Sequence, residues 1–349
     1  MSNRNVVAIG GSAGAIKPLN AILEKLPRDL NATIIVVIHI PADSSGVHTA
    51  IASRSPFPVV IVQDGMALES GKVFIAPPDH HLLLIGDVFK LGKGPRENLA
   101  RPAIDPLFRS VALSVGPRAI GLILSGMLND GASGLSSIKR CGGVALVQAP
   151  STSEAAAMPI AALEATPMDL SAGAGELASA IARYVQEEAG PARPVPSELR
   201  LEVEIAAGAA STTGSMGKLG HPVALTCPDC GGVLSEIEGS HPLRFRCQVG
   251  HGYTGKVLMM EKQSAVDEAM RVALRIVEER AELMSRMGRD ARASGREGMA
   301  ENFLQKSDEY RAHADILRQA LLQLMEGEPD GAEELEIPSY EGRAVLKEG

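Results

Sequence analysis

At 349 residues, 45% apolar and 22% charged, the chain is about twice the usual domain length and of ordinary globular composition, which predicts two compact units plus linkers and excludes global disorder. A formal net charge of -8, no Trp and only 3% aromatics exclude a nucleic-acid partner, because phosphate needs a basic footprint and single strands need stacking platforms. There is neither a signal-peptide h-region behind Met1 nor an apolar run of membrane-span length, so a cytoplasmic protein without membrane insertion is expected.

Up to residue 190, short β-rich runs alternate with helical patterns. Val6–Gly10, Thr33–His39, Val59–Gln63, Lys72–Ala76, Ala119–Ser125 and Val144–Gln148 read as strands, several apolar throughout, as expected of strands buried on both faces. Ala15–Leu26 and Pro106–Val115 read as helices between them. The alternation predicts an α/β fold with a doubly wound, mostly parallel sheet over residues 1–190. Turn signals at Ala76–Asp79 and Gly86-Asp87 predict a hairpin insertion over Val73–Leu91.

Residues 191–222 are rich in Pro, Gly, Ala, Ser and Thr and are expected to be a flexible linker. A Cys/His unit at 223–256 and a helical hairpin at 257–327 follow. In the hairpin, Met259, Val266, Met270, Ala273, Val277, Ala281 and Met284 form one apolar stripe, and Tyr310, Ala314, Leu317, Leu321 and Leu324 the other. Core packing between the two helices accounts for the stripes more simply than partner binding. The break is expected within Gly288–Gly298, and residues 328–349 read as a solvated acidic tail.

The first strand ends in Gly10-Gly11-Ser12-Ala13-Gly14, a G-x-S-x-G pattern entering a helix. Such a turn can lift a serine above the sheet edge, yet glycine-rich first turns are as often phosphate cradles. The surroundings favour the nucleophile. Ser12 stands where a dinucleotide fingerprint needs its second glycine, which argues against a nucleotide-binding oxidoreductase. The second strand ends in His39, and Asp130 follows the strand Ala119–Ser125 in Ser125-Gly126-Met127-Leu128-Asn129-Asp130-Gly131. Singly, His39 reads as a structural histidine and Asp130 as a turn residue. Together at one sheet edge they suit a serine hydrolase: His39 takes the Ser12 proton, and Asp130 fixes the tautomer and steadies the imidazolium.

These runs, with His39-Ile40-Pro41, Ala76-Pro77-Pro78-Asp79-His80-His81-Leu82 and Arg101-Pro102-Ala103-Ile104-Asp105-Pro106-Leu107-Phe108-Arg109-Ser110, resemble the CheB-type protein-glutamate methylesterase domain in order and register over roughly residues 4–185. The resemblance implies Ser12 as nucleophile, His39 as base, Asp130 as orienting acid and the Met127 N–H in the oxyanion hole, with no catalytic cofactor. It also implies a substrate, the methylated glutamate side chains on a chemoreceptor's cytoplasmic helices, and deamidation of receptor glutamines. Ala13 and Ile38 stand where the family usually has threonine and glutamine. No receiver domain precedes Val6, so activation by phosphorylation in cis is not expected. The rival from another class is a catalytically weak esterase-fold scaffold whose C-terminal unit engages a signalling protein. His80 and His81, on the expected insertion, could line the substrate groove or equally lie at the surface; Arg101 and Arg109 read as solvated surface charge that could meet the acidic face of a receptor helix.

Cys227-x2-Cys230, sixteen residues and Cys247-x3-His251 offer three thiolates and an imidazole on two tight turns. That set suits tetrahedral structural zinc in a ribbon-like unit and leaves no open position for catalysis. A redox dithiol at Cys227 and Cys230 would leave Cys247 and His251 unused. Cys141 is expected to be a buried small hydrophobe.

Overall fold

The computed structural model describes residues 3–39 and 46–326, so the expected acidic tail lies outside the described residues. The chain divides into two compact units, residues 1–260 and 261–349. The first unit opens with β1 (Val6–Gly11), α1 (Ile16–Lys25), β2 (Thr33–Ile38), α2 (Gly46–Ala52), β3 (Val59–Ile61), β4 (Val73–Ile75), β5 (His81–Ile85), β6 (Val88–Gly92) and α3 (Ile104–Val115). It continues through β7 (Ala119–Ile123), α4 (Ala132–Arg140), β8 (Val144–Gln148), α5 (Ala157–Ala165), β9 (Leu170–Ala172) and α6 (Ala174–Gln186).

Seven of these strands form one sheet in the order β3-β4-β2-β1-β7-β8-β9, each pairing parallel. The expected α/β architecture is therefore present. Strand β1 is buried along its whole length because helices cover both faces of the sheet. Val7 and Ile9 pack with Leu19, Ile22 and Leu23 of α1 and Leu177 and Ile181 of α6. Val6 and Ala8 face Leu107, Phe108 and Val111 of α3. Burying each large aliphatic side chain of this kind is worth about 1.5–3 kcal/mol. Strands β5 and β6 pair antiparallel across Gly86-Asp87, as the turn signals predict. Strand β9, only Leu-Ser-Ala, has no pattern by which the sequence could announce it.

The stretch expected to be a flexible linker is not one. Residues 197–207 form α7 and residues 213–219 form α8. Leu199, Val203, Ile205 and Ala206 of α7 are buried. The end of β6 receives its C-terminal turn so closely that a Cβ on Gly92 would lie 2.1 Å from the Ala206 carbonyl oxygen. Only glycine permits that approach.

Then β10 (Gly220–Thr226), β11 (Val233–Ile237), β12 (Arg244–Cys247) and β13 (Gly252–Thr254) form a four-stranded antiparallel sheet. Its small core is Leu234, Phe245, Tyr253, Val257 and Leu258 with Cys227 and Cys247. Leu99 and Leu128 of the α/β part pack against that core.

A buried ionic cluster ties these parts together. Glu202 of α7 takes both guanidinium nitrogens of Arg244, at 2.6 and 3.1 Å, and one of Arg246 at 3.1 Å. Arg246 also meets Glu97 at 2.9 Å, and Arg109 of α3 donates to Glu97. Arg109 was expected at the surface; the Glu97 carboxylate it bonds and Glu202, 3.9 Å away, allow full burial instead. Removing one partner would strand buried charge. Glu202→Ala should therefore lower stability by about 3–5 kcal/mol, read as a fall in the urea midpoint with little change in slope.

The second unit contains most of α9 (Gly255–Ala293) and all of α10 (Glu297–Glu326), with the break at residues 294–296. Ala281, Ala314 and Leu321 are buried, and Ser307 Oγ donates to the Ala281 carbonyl at 2.8 Å. The first stripe holds from Met270 onward only, because Met259 and Val266 are 73% and 46% exposed. Among the described residues, no helix is long and apolar enough to cross a membrane.

Candidate active site and metal centre

The sheet order reverses between β1 and β7, and ligands of open α/β sheets bind at such a switch point beyond the strands' carboxyl ends. Ser12 follows β1 there, and its N–H donates to the Ser125 carbonyl beyond β7 at 2.9 Å. His39 follows β2, its N–H held by the Gly11 carbonyl at 3.1 Å. Neighbouring strand ends thus bring the serine and the histidine to one open cleft, which Ala13, Ile38, Arg54 and Glu154 also line. The turn after Ser12 needs Gly14, at φ +73°, where a Cβ would sit 2.6 Å from that of Glu154.

His39 Nε2 lies 2.7 Å from Asp130 Oδ2, which leaves Nδ1 for another partner. Asp130 is 2% exposed and accepts three further hydrogen bonds. The Ile104 N–H reaches Oδ2 at 2.6 Å, while Asn98 Nδ2 and the Asp105 N–H reach Oδ1 at 3.0 and 3.2 Å. Burial works to raise the Asp130 pKa. The His39 hydrogen bond and charge, with the Ile104 and Asn98 donors, outweigh it and hold the carboxyl below its usual range. Its neighbour Asp105, buried and facing the Asp130 charge, is pushed up to about 7.

Met127 is 64% exposed beside this edge, and a Cβ on the preceding Gly126 would be 3.1 Å from that of Ser12. Ala13 is exposed, and its carbonyl accepts from Ser125 Oγ at 2.8 Å. Ile38 is buried in the core beneath the cleft.

The remaining arginine and histidine expectations divide. His81 is fully buried, with Nδ1 accepting from the Ala103 N–H at 3.3 Å and Nε2 donating to the Pro95 carbonyl at 2.9 Å. Burial lowers its pKa, so it is a neutral structural ring and lines no groove. His80 Nδ1 lies 3.1 Å from the Pro78 carbonyl oxygen. Arg101 pairs with Asp79 at 2.7 Å. Sequence reasoning missed Asn98, Glu97 and Glu202, whose roles come from partners far along the chain and carry no local pattern.

The side chains of Cys227, Cys230, Cys247 and His251 converge, with their four donor atoms within 4.8 Å of one another. Cys230 Sγ is 3.7 Å from Cys247 Sγ, and His251 Nδ1 is 3.5 and 3.7 Å from the sulfurs of Cys247 and Cys227. Thiolates arranged tetrahedrally at a Zn–S distance of about 2.3 Å stand about 3.8 Å apart, so the donor set fits that ion. The same spacing is far too long for a disulfide. Cys141 is a buried free thiol at the end of α4, as expected.

Comparison with known proteins gives the fold its relatives. Residues 7–181 match the model of the CheB methylesterase family. A putative protein-glutamate methylesterase/protein-glutamine glutaminase of Leptospira interrogans is 40% identical over 169 residues, 48% of this chain and 88% of that one. A Methanosarcina mazei protein-glutamate methylesterase/protein-glutamine glutaminase is 36% identical over 167 residues, but those cover only 46% of its length. The CheB methylesterase catalytic domain of Thermotoga maritima superposes with a TM-score of 0.50 at 31% identity, over 52% of this chain and 99% of that one. Since the matched segment contains the strands that carry Ser12, His39 and Asp130, half the molecule and its candidate site have one ancestry: the chain belongs to the CheB methylesterase family.

Proposed function

We propose that the protein hydrolyses methyl esters of glutamate side chains on the cytoplasmic helices of a chemoreceptor, through a Ser12–His39–Asp130 triad. The observation that carries this reading is the 2.7 Å contact of His39 Nε2 with a buried, ionised Asp130, beside a serine at the neighbouring strand end. With Nε2 occupied, Nδ1 takes the Ser12 proton as Oγ attacks the ester carbonyl. The Met127 N–H and the amino end of α1 stabilise the oxyanion. His39 then returns the proton to the departing methoxide, releasing methanol and leaving a glutamyl ester on Ser12. Water, deprotonated by His39, attacks that ester; the bond to Ser12 Oγ breaks, His39 returns the proton to Oγ, and the carboxylate is freed. A glutamine amide would follow the same route with loss of ammonia, the second activity in the relatives' names.

No cofactor enters these steps. The proposed metal is a structural zinc held by Cys227, Cys230, Cys247 and His251, with Tyr253 donating to Asp229 and lying 3.3 Å from the Cys227 sulfur. The chain as purified should carry one zinc, and Cys230→Ser should lose most of it by elemental analysis. Full zinc retention in that variant would remove Cys230 from the ligand set. The activity is tested by incubating the full chain with a methylated receptor cytoplasmic fragment and measuring methanol. Release is expected with the native chain and not with His39→Ala; an inert, folded native chain would favour the scaffold reading instead.

A further inference from the structure

The Cys/His sheet does not hang from the α/β part; it reaches the candidate active site. Strand β13 begins at Gly252, directly after His251, and runs alongside the loop at Glu97 and Asn98. The Asn98 N–H donates to the Gly252 carbonyl at 2.9 Å, and the Gly252 N–H to that of Arg96 at 3.2 Å. The next contacts lead inward. The Thr254 N–H donates to Asn98 Oδ1 at 3.0 Å, and Thr254 Oγ1 donates to Asn129 Oδ1 at 2.7 Å. Asn98 Nδ2 in turn donates to Asp130 Oδ1 at 3.0 Å and to Asp105 Oδ2 at 3.3 Å.

The direction of these bonds matters. A backbone N–H can only donate, so Thr254 admits only the amide orientation of Asn98 that turns Oδ1 toward β13 and NH2 toward Asp130. Thr254 also ties down Asn129, the residue before Asp130. Leu128, one residue past Met127 and at φ +62°, packs on the core of the Cys/His sheet. Both the carboxylate side and the oxyanion side of the candidate site therefore rest on the same small sheet. In a sheet with so few buried side chains, a metal held by the four ligands would add much of the order.

We propose that the metal-bound Cys/His sheet is the positioning element of the active site, with Thr254 and Asn98 as the positioning residues that relay its order to Asp130. This rests on the triad reading above. Without metal, Asn98 loses its fixed orientation, Asp130 its lateral donor and His39 its aim. A misplacement of about 1 Å can cost on the order of 10^2 in rate.

The test uses the full chain and a fluorophosphonate probe, whose rate of attachment to Ser12 reports the activated serine without any receptor. Stripping the metal with phenanthroline should slow labelling by roughly 10-fold to 10^2-fold, and zinc should restore it. Asn98→Gly, which suits the left-handed backbone there (φ +49°), should keep its zinc and be slowed to a similar extent. In that background stripping should add little, because both changes break one relay. Thr254→Val should also retain zinc, with a shifted downfield N–H proton resonance of the His39–Asp130 pair, while Thr254→Ser leaves it in place. A merely structural role would not move that resonance. Metal-free protein labelled at the native rate would overturn the proposal, as would full additivity of stripping and Asn98→Gly. If stripping unfolds the chain, the two folded variants decide: native labelling rates and an unmoved resonance in both overturn it. Failure of the triad reading looks different, since the zinc-loaded native chain would then be labelled no faster than Ser12→Ala.

Discussion

Ser12→Ala should abolish methanol release from methylated receptor, by roughly 10^4 to 10^6 in kcat, because among the described residues that line the cleft with His39 no other side chain carries a hydroxyl. Ser125, whose carbonyl takes the Ser12 N–H, has its own Oγ committed to the Ala13 carbonyl and to the Ala155 N–H, at 2.8 and 2.9 Å. The double variant with His39→Ala should be no slower than either single change, since serine and histidine act as one unit. The fold should tolerate the change, because Ser12 donates its backbone N–H to Ser125 and is only partly buried. A folded Ser12→Ala protein that still releases methanol at the native rate would end the esterase reading outright.

The parallel sheet is legible in the sequence because strands covered on both faces must be apolar throughout, and Val6–Ala8 or Thr33–Ile38 can hardly be anything else. Ser12, His39 and Asp130 are legible because each follows such a strand, so local patterns suffice to put them on one edge. The support beneath them is not. Asn98 sits in Glu97-Asn98-Leu99-Ala100, an irregular loop, and its partners Asp130 and Thr254 lie 32 and 156 residues away. Helix α7 was hidden for a similar reason. Its Leu-Glu-Val-Glu run between Pro- and Gly-rich flanks looks solvated, until Arg244 and Arg246 supply the charge that lets Glu202 go inside. Cysteine spacing announces a metal unit but says nothing of what its sheet will dock against, so a tethered module was the natural expectation. The docking depends instead on Leu99, Leu128 and the Glu97–Arg246 pair, single residues without periodicity.

Asp130→Asn should slow the reaction by roughly 10^3 to 10^4, the loss expected when a triad histidine is held in the wrong tautomer. The carboxylate receives two donors on each oxygen: His39 Nε2 and the Ile104 N–H on Oδ2, Asn98 Nδ2 and the Asp105 N–H on Oδ1. An asparagine has one accepting oxygen, so its NH2 must confront two donors whichever way it turns. Turned toward His39, it forces Nε2 to accept, and the ring proton moves to Nδ1, where it blocks abstraction from Ser12. Turned toward Asn98, it keeps the tautomer but leaves the buried Asp105 N–H without its acceptor, at about 1–3 kcal/mol, and the Asn98 amide with Asp105 Oδ2 alone. The first arrangement also leaves the buried Ile104 N–H without its acceptor, so either way the urea midpoint should fall, and the first adds the slower rate. The sequence alone suggests an unperturbed fold for this change; four convergent donors do not allow it. Rates within tenfold of native would mean that His39 takes its orientation from another group, and that Asp130 serves only to hold the start of α3.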